Sequence, residues 1–303
     1  MSTPALVLTG LTKRFGAKLA VSRVSFSVQQ GEIFGLIGPN GAGKTTTFSM
    51  MCGYLFPDEG QVRVLGVDPA TPGALKGRLG ALPQDAVLPP SWRVGPLLTF
   101  WAKLSGLPAA EAEARAALEA VGLAEAWSVQ SQALSHGMAK RVSMAQALMG
   151  KPPLVLLDEP TAGLDPKVAA QVRELIRSMR RTQTVVVSSH NLQELEELCD
   201  AVAVLDRGEL QQAGRMEELT GRGAEFRVDI ARGSVPLEPL RLLTGVTEAV
   251  LGDNAALVVR FDPQLTSPED VISRTAGLLL QNGVLFTSIS RGRRLEDRVL
   301  QLL

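Results

Sequence analysis

The pattern of hydrophobic and polar positions changes character along the chain. The first 40 residues contain short apolar or alternating runs, which predict β-strands. Residues 95–150 follow a helical pattern instead, and Ala, Glu and Leu dominate residues 108–121. Strand-like and helix-like segments then alternate up to residue 200, as in a parallel sheet with crossover helices. We predict strands over residues 5–8, 24–28, 33–37, 61–65, 154–157, 184–188 and 201–205, and helices over residues 44–53, 108–121, 169–181 and 192–200.

The C-terminal part follows a different order of elements. Composition shifts near Leu219, and residues 220–223 read as a linker. Beyond it the pattern predicts strand, helix, strand, strand, helix and strand, and then a terminal helix over residues 295–302. Ser267 suits the N-cap of the longer helix, because Pro and two acidic residues follow it. The βαββαβ order predicts a small α+β, ferredoxin-like domain over residues 224–303, after a larger domain over residues 1–220.

Length, charge and cysteine content narrow the functional classes. A chain of 303 residues exceeds what one core usually serves, which agrees with two domains. Basic and acidic residues both number 31, so no basic footprint for nucleic acid appears. Cys52 and Cys199 are too few for a disulfide framework, and we expect buried thiols in a reducing cytoplasm. No run of about 18 apolar residues occurs, so we expect a soluble protein that reaches a membrane only through a partner.

A glycine-rich loop between a predicted strand and helix carries the first candidate chemistry. Residues 38–45 fit the pattern G-x-x-x-x-G-K-[ST] at every fixed position. Such a loop turns successive backbone N–H groups toward a phosphate, while its lysine neutralises phosphate oxygens and its hydroxyl ligates Mg²⁺. The predicted nucleotide-binding residues are Gly38, Pro39, Asn40, Gly41, Ala42, Gly43, Lys44, Thr45 and Thr46.

Two adjacent acids follow the apolar strand at residues 154–157. Asp158 and Glu159 therefore lie at the carboxyl end of the strand, the edge where α/β sheets bind ligands. Asp158 suits the Mg²⁺ side of a nucleotide, and Glu159 suits the general base that activates water. The two motifs together identify a P-loop nucleotidase.

Smaller elements resemble those of the ATP-binding cassette (ABC) ATPase family over about the first 220 residues. Residues 134–138 (Leu-Ser-His-Gly-Met) occupy the place of the family signature Leu-Ser-Gly-Gly-Gln, and Gln84 that of the Q-loop glutamine. Residues 162–165, ending in Asp165, match the D-loop, and His190 matches the switch histidine. The resemblance implies a mainly parallel sheet with an N-terminal antiparallel β part and an inserted helical subdomain at about residues 86–150.

The resemblance also implies a role for each residue. Glu159, His190, Gln84 and Lys44 would form the catalytic group, while Thr45, Gln84 and Asp158 would hold Mg²⁺. Ser135, Gly137 and Asp165 would contact ATP across a dimer of two copies that encloses two nucleotides. Phe15 stands where the family stacks an aromatic ring on adenine, although an ordinary core residue is an equal alternative. Trp92, Trp101 and Trp127 are expected to be packing anchors.

The signature departs from the family pattern at His136 and Met138. This variant is similar to signatures of bacterial export systems, in which a separate integral membrane permease supplies the membrane helices. We therefore expect an ATP-hydrolysing exporter subunit, cytoplasmic and peripheral on the inner face of the cell membrane. His136 could add pH sensitivity near neutrality.

Other interpretations remain open at this stage. The main alternative is a soluble ABC ATPase of DNA repair or translation, although no nucleic-acid partner is expected. An importer ATPase, a P-loop kinase or GTPase, and a non-hydrolysing cassette are further alternatives. For the C-terminal domain we expect a role in dimer stabilisation or regulation, based on a basic turn over residues 291–294.

Overall fold

The computed structural model describes residues 3–71, 73–221, 224–252, 256–292 and 295–303. The chain divides into two compact units, residues 1–213 and 214–303, and the division falls shortly before the linker that composition predicts. The first unit contains β1 (Leu6–Phe15), β2 (Lys18–Val28), β3 (Ile33–Ile37), α1 (Lys44–Met51), β4 (Glu59–Val64), β5 (Leu79–Leu82), α2 (Val94–Leu104), α3 (Ala110–Ala120), α4 (His136–Leu148), β6 (Leu154–Asp158), α5 (Pro166–Ser178), β7 (Thr184–Ser188), α6 (Leu192–Leu198), β8 (Ala201–Asp206) and β9 (Glu209–Arg215). The second contains α7 (Met216–Thr220), β10 (Glu225–Arg232), α8 (Leu237–Arg241), β11 (Val246–Leu251), β12 (Ala256–Phe261), α9 (Pro268–Gln281), β13 (Leu285–Arg291) and α10 (Leu295–Leu302).

A six-stranded sheet organises the first unit, in the order β5-β6-β7-β3-β8-β9. The pairs from β5 to β8 are parallel, and Val155 lies opposite Val185 while Gly35 lies opposite both Val187 and Val202. All five residues of β3, of β6 and of β7 are buried. Such continuous apolar runs are what a parallel sheet covered on both faces requires. This sheet brings the carboxyl ends of β3, β6 and β7 side by side.

A three-stranded antiparallel sheet, in the order β2-β1-β4, forms the rest of the β structure in this unit. The first two predicted strands are longer than the hydrophobic pattern indicates, because exposed polar residues continue the pairing of β1 with β2. The hydrophobic core joins the two sheets through residues such as Leu6, Phe26, Phe34 and Leu156. Phe26 and Phe34 stack with ring centroids 5.3 Å apart.

Helices α2, α3 and α4 follow one another between β5 and β6, in the region where an inserted helical subdomain is expected. Trp127 packs closely against α2, since a Cβ on Gly95 would lie 2.3 Å from its ring, and the Arg115 guanidinium lies 3.9 Å from the ring centroid. These contacts agree with the expectation that Trp127 is a packing anchor. Trp92 differs from the expectation, because it is 40% exposed and contacts Phe100, which is 44% exposed. Strand β5 was not predicted from the pattern, since it is short and follows a Pro- and Gly-rich stretch.

The second unit has the predicted ferredoxin-like arrangement. Its antiparallel sheet has the order β11-β12-β10-β13, as βαββαβ folds require. Ser267 caps α9 as predicted, with its hydroxyl accepting a hydrogen bond from Asp270 N at 3.1 Å. Arg291 forms an ion pair with Glu269. Residues 293 and 294 of the predicted basic turn lie outside the described residues.

Two further expectations concern the thiols and the membrane. Cys52 and Cys199 are free and buried. Burial raises the pKa of the Cys52 thiol to about 12, so it stays protonated at neutral pH. No helix in the described parts of the chain combines the length and the apolar character needed to cross a membrane.

Candidate functional site

The glycine loop connects β3 to α1 and requires glycine at specific positions. A Cβ on Gly38 would lie 2.4 Å from the Leu205 carbonyl oxygen, so no side chain fits there. Gly43 has a φ of 98° and immediately precedes the first turn of α1. This left-handed conformation favours glycine and directs the chain into the helix. The loop therefore places the amino end of α1, and Lys44 with it, at the carboxyl edge of the sheet.

The Lys44 ammonium is held inside this loop. Its Nζ donates to the carbonyl oxygens of Gly38 at 2.7 Å and Pro39 at 3.2 Å. Burial lowers the pKa of Lys44, while the charges of Glu159 and Asp158 oppose that shift. A buried cation beside two acids suits the neutralisation of phosphate oxygens.

Asp158 ends β6 directly opposite Ser188, the last residue of β7. The Ser188 hydroxyl donates a hydrogen bond to Asp158 Oδ1. Burial raises the pKa of Asp158, although the hydroxyls of Ser188 and Thr45 and the charge of Lys44 lower it. Within the described residues, Asp158 Oδ2 is buried and receives no hydrogen bond of ordinary geometry. A buried oxygen of this kind is a suitable ligand for a hard cation.

Glu159 and His190 form a pair at the same edge. Glu159 has a φ of 51°, a strained conformation for a residue with a side chain, and it is only 7% exposed. Two bonds from Glu159 N, to Ser188 O at 3.2 Å and to Ser188 Oγ at 2.9 Å, support this turn. The Glu159 Oε2 atom lies 2.9 Å from His190 Nδ1, and the imidazole is 66% exposed. The arrangement directs one carboxylate and one imidazole to the same place, as base catalysis on water requires.

Thr45 and Gln84 contact each other in the cavity that Asp158 also lines. The Thr45 hydroxyl donates to Gln84 Oε1 at 3.3 Å. Both side chains line a cavity of about 280 Å³. The cavity brings together these predicted residues: Asn40, Gly41, Gly43, Lys44, Thr45, Thr46, Gln84, Asp158 and Glu159. Gly38, Pro39 and Ala42 shape the loop without lining the cavity.

Two residues of the cavity were missed by sequence reasoning. Lys18 and Ala20, both on β2, line it beside the glycine loop. No motif marks them, because they approach the loop only through the packing of the antiparallel sheet. The one sequence signal for Lys18 is a cation three residues after Phe15, at the start of β2. Phe15 itself is 51% exposed at the end of β1, so it is not a core residue.

The predicted signature and D-loop residues lie outside this cavity and cap helices. The Ser135 hydroxyl accepts from Met138 N at 3.2 Å, so α4 begins at His136. Gly137 therefore lies in the first turn of α4. Asp165 likewise caps α5, with Oδ1 accepting from Val168 N at 3.1 Å.

The signature helix and the D-loop contact each other within one subunit. Lys140 Nζ donates to the Ala162 carbonyl oxygen at 2.9 Å. Burial lowers the pKa of Lys140, and the charges of Glu159 and Asp158 oppose that shift. A Cβ on Gly163 would lie 3.3 Å from His136 Nε2, so the imidazole rests against the D-loop backbone. Sequence reasoning missed Lys140, because the signature motif ends before it.

Comparisons with known proteins agree with this geometry. A protein-family model described as ABC transporter matches residues 21–162. The chain is 40% identical over 216 residues to the linearmycin resistance ATP-binding protein LnrL of Bacillus subtilis, covering 70% of each chain. It is 38% identical over 222 residues to the Nod factor export ATP-binding protein I of Ralstonia nicotianae, covering 72% of this chain and 69% of that protein.

Solved structures show the same fold. The structure of an ATP-binding subunit of an ABC transporter superposes with a TM-score of 0.67 at 28% identity, covering 73% of this chain and 93% of that chain. The glycine loop and the paired acids line one cavity, and His190 contacts the second of those acids. This chain therefore belongs to the ABC transporter family, as a nucleotide-binding subunit that hydrolyses ATP.

Proposed function

We propose that this chain supplies energy to an exporter whose membrane helices belong to a separate permease. The observation that carries the proposal is the Glu159–His190 pair, whose glutamate lines the glycine-loop cavity together with Lys44. The names of the relatives, which concern linearmycin resistance and Nod factor export, support export rather than import. The chain would act on the inner face of the cell membrane, peripherally and through the permease.

The cavity residues divide the hydrolysis of ATP among them. Lys44 neutralises the oxygens of the terminal phosphates, and the loop N–H groups hold them in place. Glu159 accepts a proton from the attacking water through its carboxylate, while the imidazole of His190 helps to orient that water and donates a hydrogen bond to the γ-phosphate. The strained turn at Glu159 favours this role, because strain is retained where function requires it.

We propose that Mg²⁺ binds between Asp158, Thr45 and Gln84. The unpartnered Oδ2 of Asp158, the Thr45 hydroxyl and the Gln84 amide oxygen form an oxygen set of the kind Mg²⁺ prefers. When bound, the ion would neutralise charge on the phosphates. It would also offset the burial that raises the pKa of Asp158.

The active form that we propose is a dimer of two copies with two ATP molecules between them. Ser135 lies at the amino end of α4 and is exposed, and it does not line the cavity of its own subunit. Ser135, Gly137 and Asp165 would contact the nucleotide of the opposite copy. Phe15, exposed next to the Lys18 turn, would stack on adenine.

The proposed base is tested with Glu159→Gln in the full chain. The amide keeps the shape but accepts no proton, so turnover is expected to fall by at least about a hundredfold while ATP binding persists. The ATP-bound dimer should then accumulate on sizing chromatography. Lys44→Ala is the matched comparison, because it should lose ATP affinity and show no such dimer. Wild-type turnover by Glu159→Gln would overturn the assignment.

The proposed partner is tested by affinity purification of the tagged full chain from detergent-solubilised cells. Recovery of a polytopic membrane protein is the expected result. Recovery of ribosomes or DNA instead would favour a role in translation or DNA repair and would overturn the exporter proposal.

A further inference from the structure

We propose that Glu194 is a positioning residue that holds the Glu159–His190 pair in its reactive geometry. Glu194 lies on α6 and belongs to none of the motifs identified above. The proposal rests on the proposed function, since it concerns the same reaction. It gives a role to a buried carboxylate that neither lines the cavity nor closes a capping box.

The Glu194 carboxylate is 7% exposed and is surrounded by hydrogen-bond donors. Thr161 Oγ1 donates to Oε2 at 2.9 Å, and Ser189 Oγ donates to the same oxygen at 3.4 Å. The guanidinium of Arg173, on α5, lies 3.4 Å from Oε1. A buried charge is costly unless it is paired, so these contacts are what keep the carboxylate there.

The donors to Glu194 lie in the two chain segments that carry Glu159 and His190. Thr161 lies two residues after Glu159, and Ser189 lies one residue before His190. One carboxylate therefore binds the segments that carry both members of the pair, whose Oε2 and Nδ1 atoms are 2.9 Å apart. Ser188 joins the same two segments from the sheet side, through Asp158 and the Glu159 backbone. The pair is held at two places.

The start of α6 explains why Glu194 points inward. Asn191 caps the helix, and its Oδ1 accepts from Glu194 N at 3.1 Å. In a capping box, an acidic residue at this position would bond back to the N–H of the cap residue. Here Ser189 Oγ accepts from Asn191 N at 3.0 Å instead. The Glu194 carboxylate therefore does not close a capping box, and it reaches the Thr161 segment.

The test uses Glu194→Gln in the full chain, with steady-state ATPase kinetics. The amide keeps the volume but loses the charge, and small displacements of catalytic groups reduce rates strongly. We expect kcat to fall about tenfold while KM for ATP changes less than about twofold, since the glycine loop is untouched. Glu197→Gln is the matched control, because Glu197 is exposed on the same helix and accepts a hydrogen bond from Gln193 Nε2 at 3.3 Å.

A double-mutant cycle separates positioning from general destabilisation. Thr161→Val removes one donor without changing charge and should itself reduce kcat severalfold. The double variant should lose less kcat than the product of the two single losses, because both changes weaken the same network of contacts. Thermal unfolding checks that each variant is folded, and Thr161→Val serves alone if Glu194→Gln does not fold.

The outcomes are distinguishable from those for the proposed function. Wild-type kcat in Glu194→Gln or in Thr161→Val would overturn this inference, and so would fully additive losses in the double variant. If Glu159→Gln retained turnover, the proposed function itself would fail.

Discussion

The two edges of the six-stranded sheet use polar side chains in different ways. At the amino edge, Thr184 Oγ1 accepts from Gly31 N at 3.0 Å and Asp200 Oδ2 accepts from Ile33 N at 2.9 Å, while Asp200 also forms an ion pair with Arg180. At the carboxyl edge, side chains also bond to the main chain, but carboxylates there bond to other side chains beside a cavity, as in the Ser188–Asp158 and Glu159–His190 pairs. The first pattern closes strand ends, and the second presents charges to a cavity.

The cavities at the two edges also differ in the charge of the side chains that line them. A cavity of about 470 Å³ lies near the amino ends of β6 and β7, and its lining is mainly Ala, Leu and Met. The cavity at the carboxyl edge is smaller, about 280 Å³, but is lined by Lys44, Asp158 and Glu159. The larger volume does not mark the reactive site. Buried charges and an unpartnered carboxylate oxygen mark it better.

The largest difference between the edges should appear when each loses an aspartate. Asp158→Asn is expected to reduce ATPase activity by about a thousandfold or more, because it removes a proposed Mg²⁺ ligand. Asp200→Ala should instead reduce the free energy of unfolding by about 1–3 kcal/mol, since Ile33 N loses its acceptor, with kcat nearly unchanged. Steady-state kinetics and thermal unfolding measure both. A stability loss in Asp158→Asn without activity loss would remove the distinction.

The stability of the folded protein should depend on pH through Asp158 at the carboxyl edge. Burial raises the pKa of Asp158, so the folded protein binds more protons than the unfolded chain over the range between the two pKa values. This contribution to stability is present below the unfolded pKa and is lost as pH rises through the folded one. In Mg²⁺-free buffer, Asp158→Asn should remove this dependence and be relatively more stable near neutral pH. Denaturant titrations at several pH values measure it.

A smaller contrast is expected between two lysines. Lys140→Met removes the bond to the Ala162 carbonyl oxygen near Glu159, and kcat should fall about three- to tenfold. Lys151→Met, at the amino-edge cavity, removes the same charge far from the D-loop and should leave kcat unchanged. ATPase assays at saturating ATP compare them. Equal effects of the two substitutions would mean that charge alone matters, not the D-loop contact.

The smallest effect concerns His136, which rests against Gly163 in the D-loop. The chain has only two histidines, and His190 contacts Glu159 directly. Since imidazole is the side chain that titrates near neutrality, His136→Gly should change the ATPase rate about twofold between pH 6 and 8 relative to the wild type. An ATPase–pH profile identical to that of the wild type would exclude His136 as a pH-sensitive element.

Much of the architecture could be predicted from the sequence. Strands β3 and β7 have the predicted bounds, and the βαββαβ order identified the second unit, because buried runs and turn residues are local signals. The extent of β1 and β2 and the existence of β5 could not be predicted. The added residues of β1 and β2 are held by pairing between the strands, and the four residues of β5 are held by pairing with β6, which no local pattern records.

The sequence by itself determined the glycine loop and the adjacent Asp158 and Glu159. Each depends on backbone conformation over a few residues. Only the tertiary structure decided that His190 pairs with Glu159, 31 residues away, that Lys18 enters the cavity, and that Glu194 joins the two catalytic segments. The physical reason is the parallel sheet. It places strand ends side by side in the order β6-β7-β3, although those strands are separated along the chain by helices and loops.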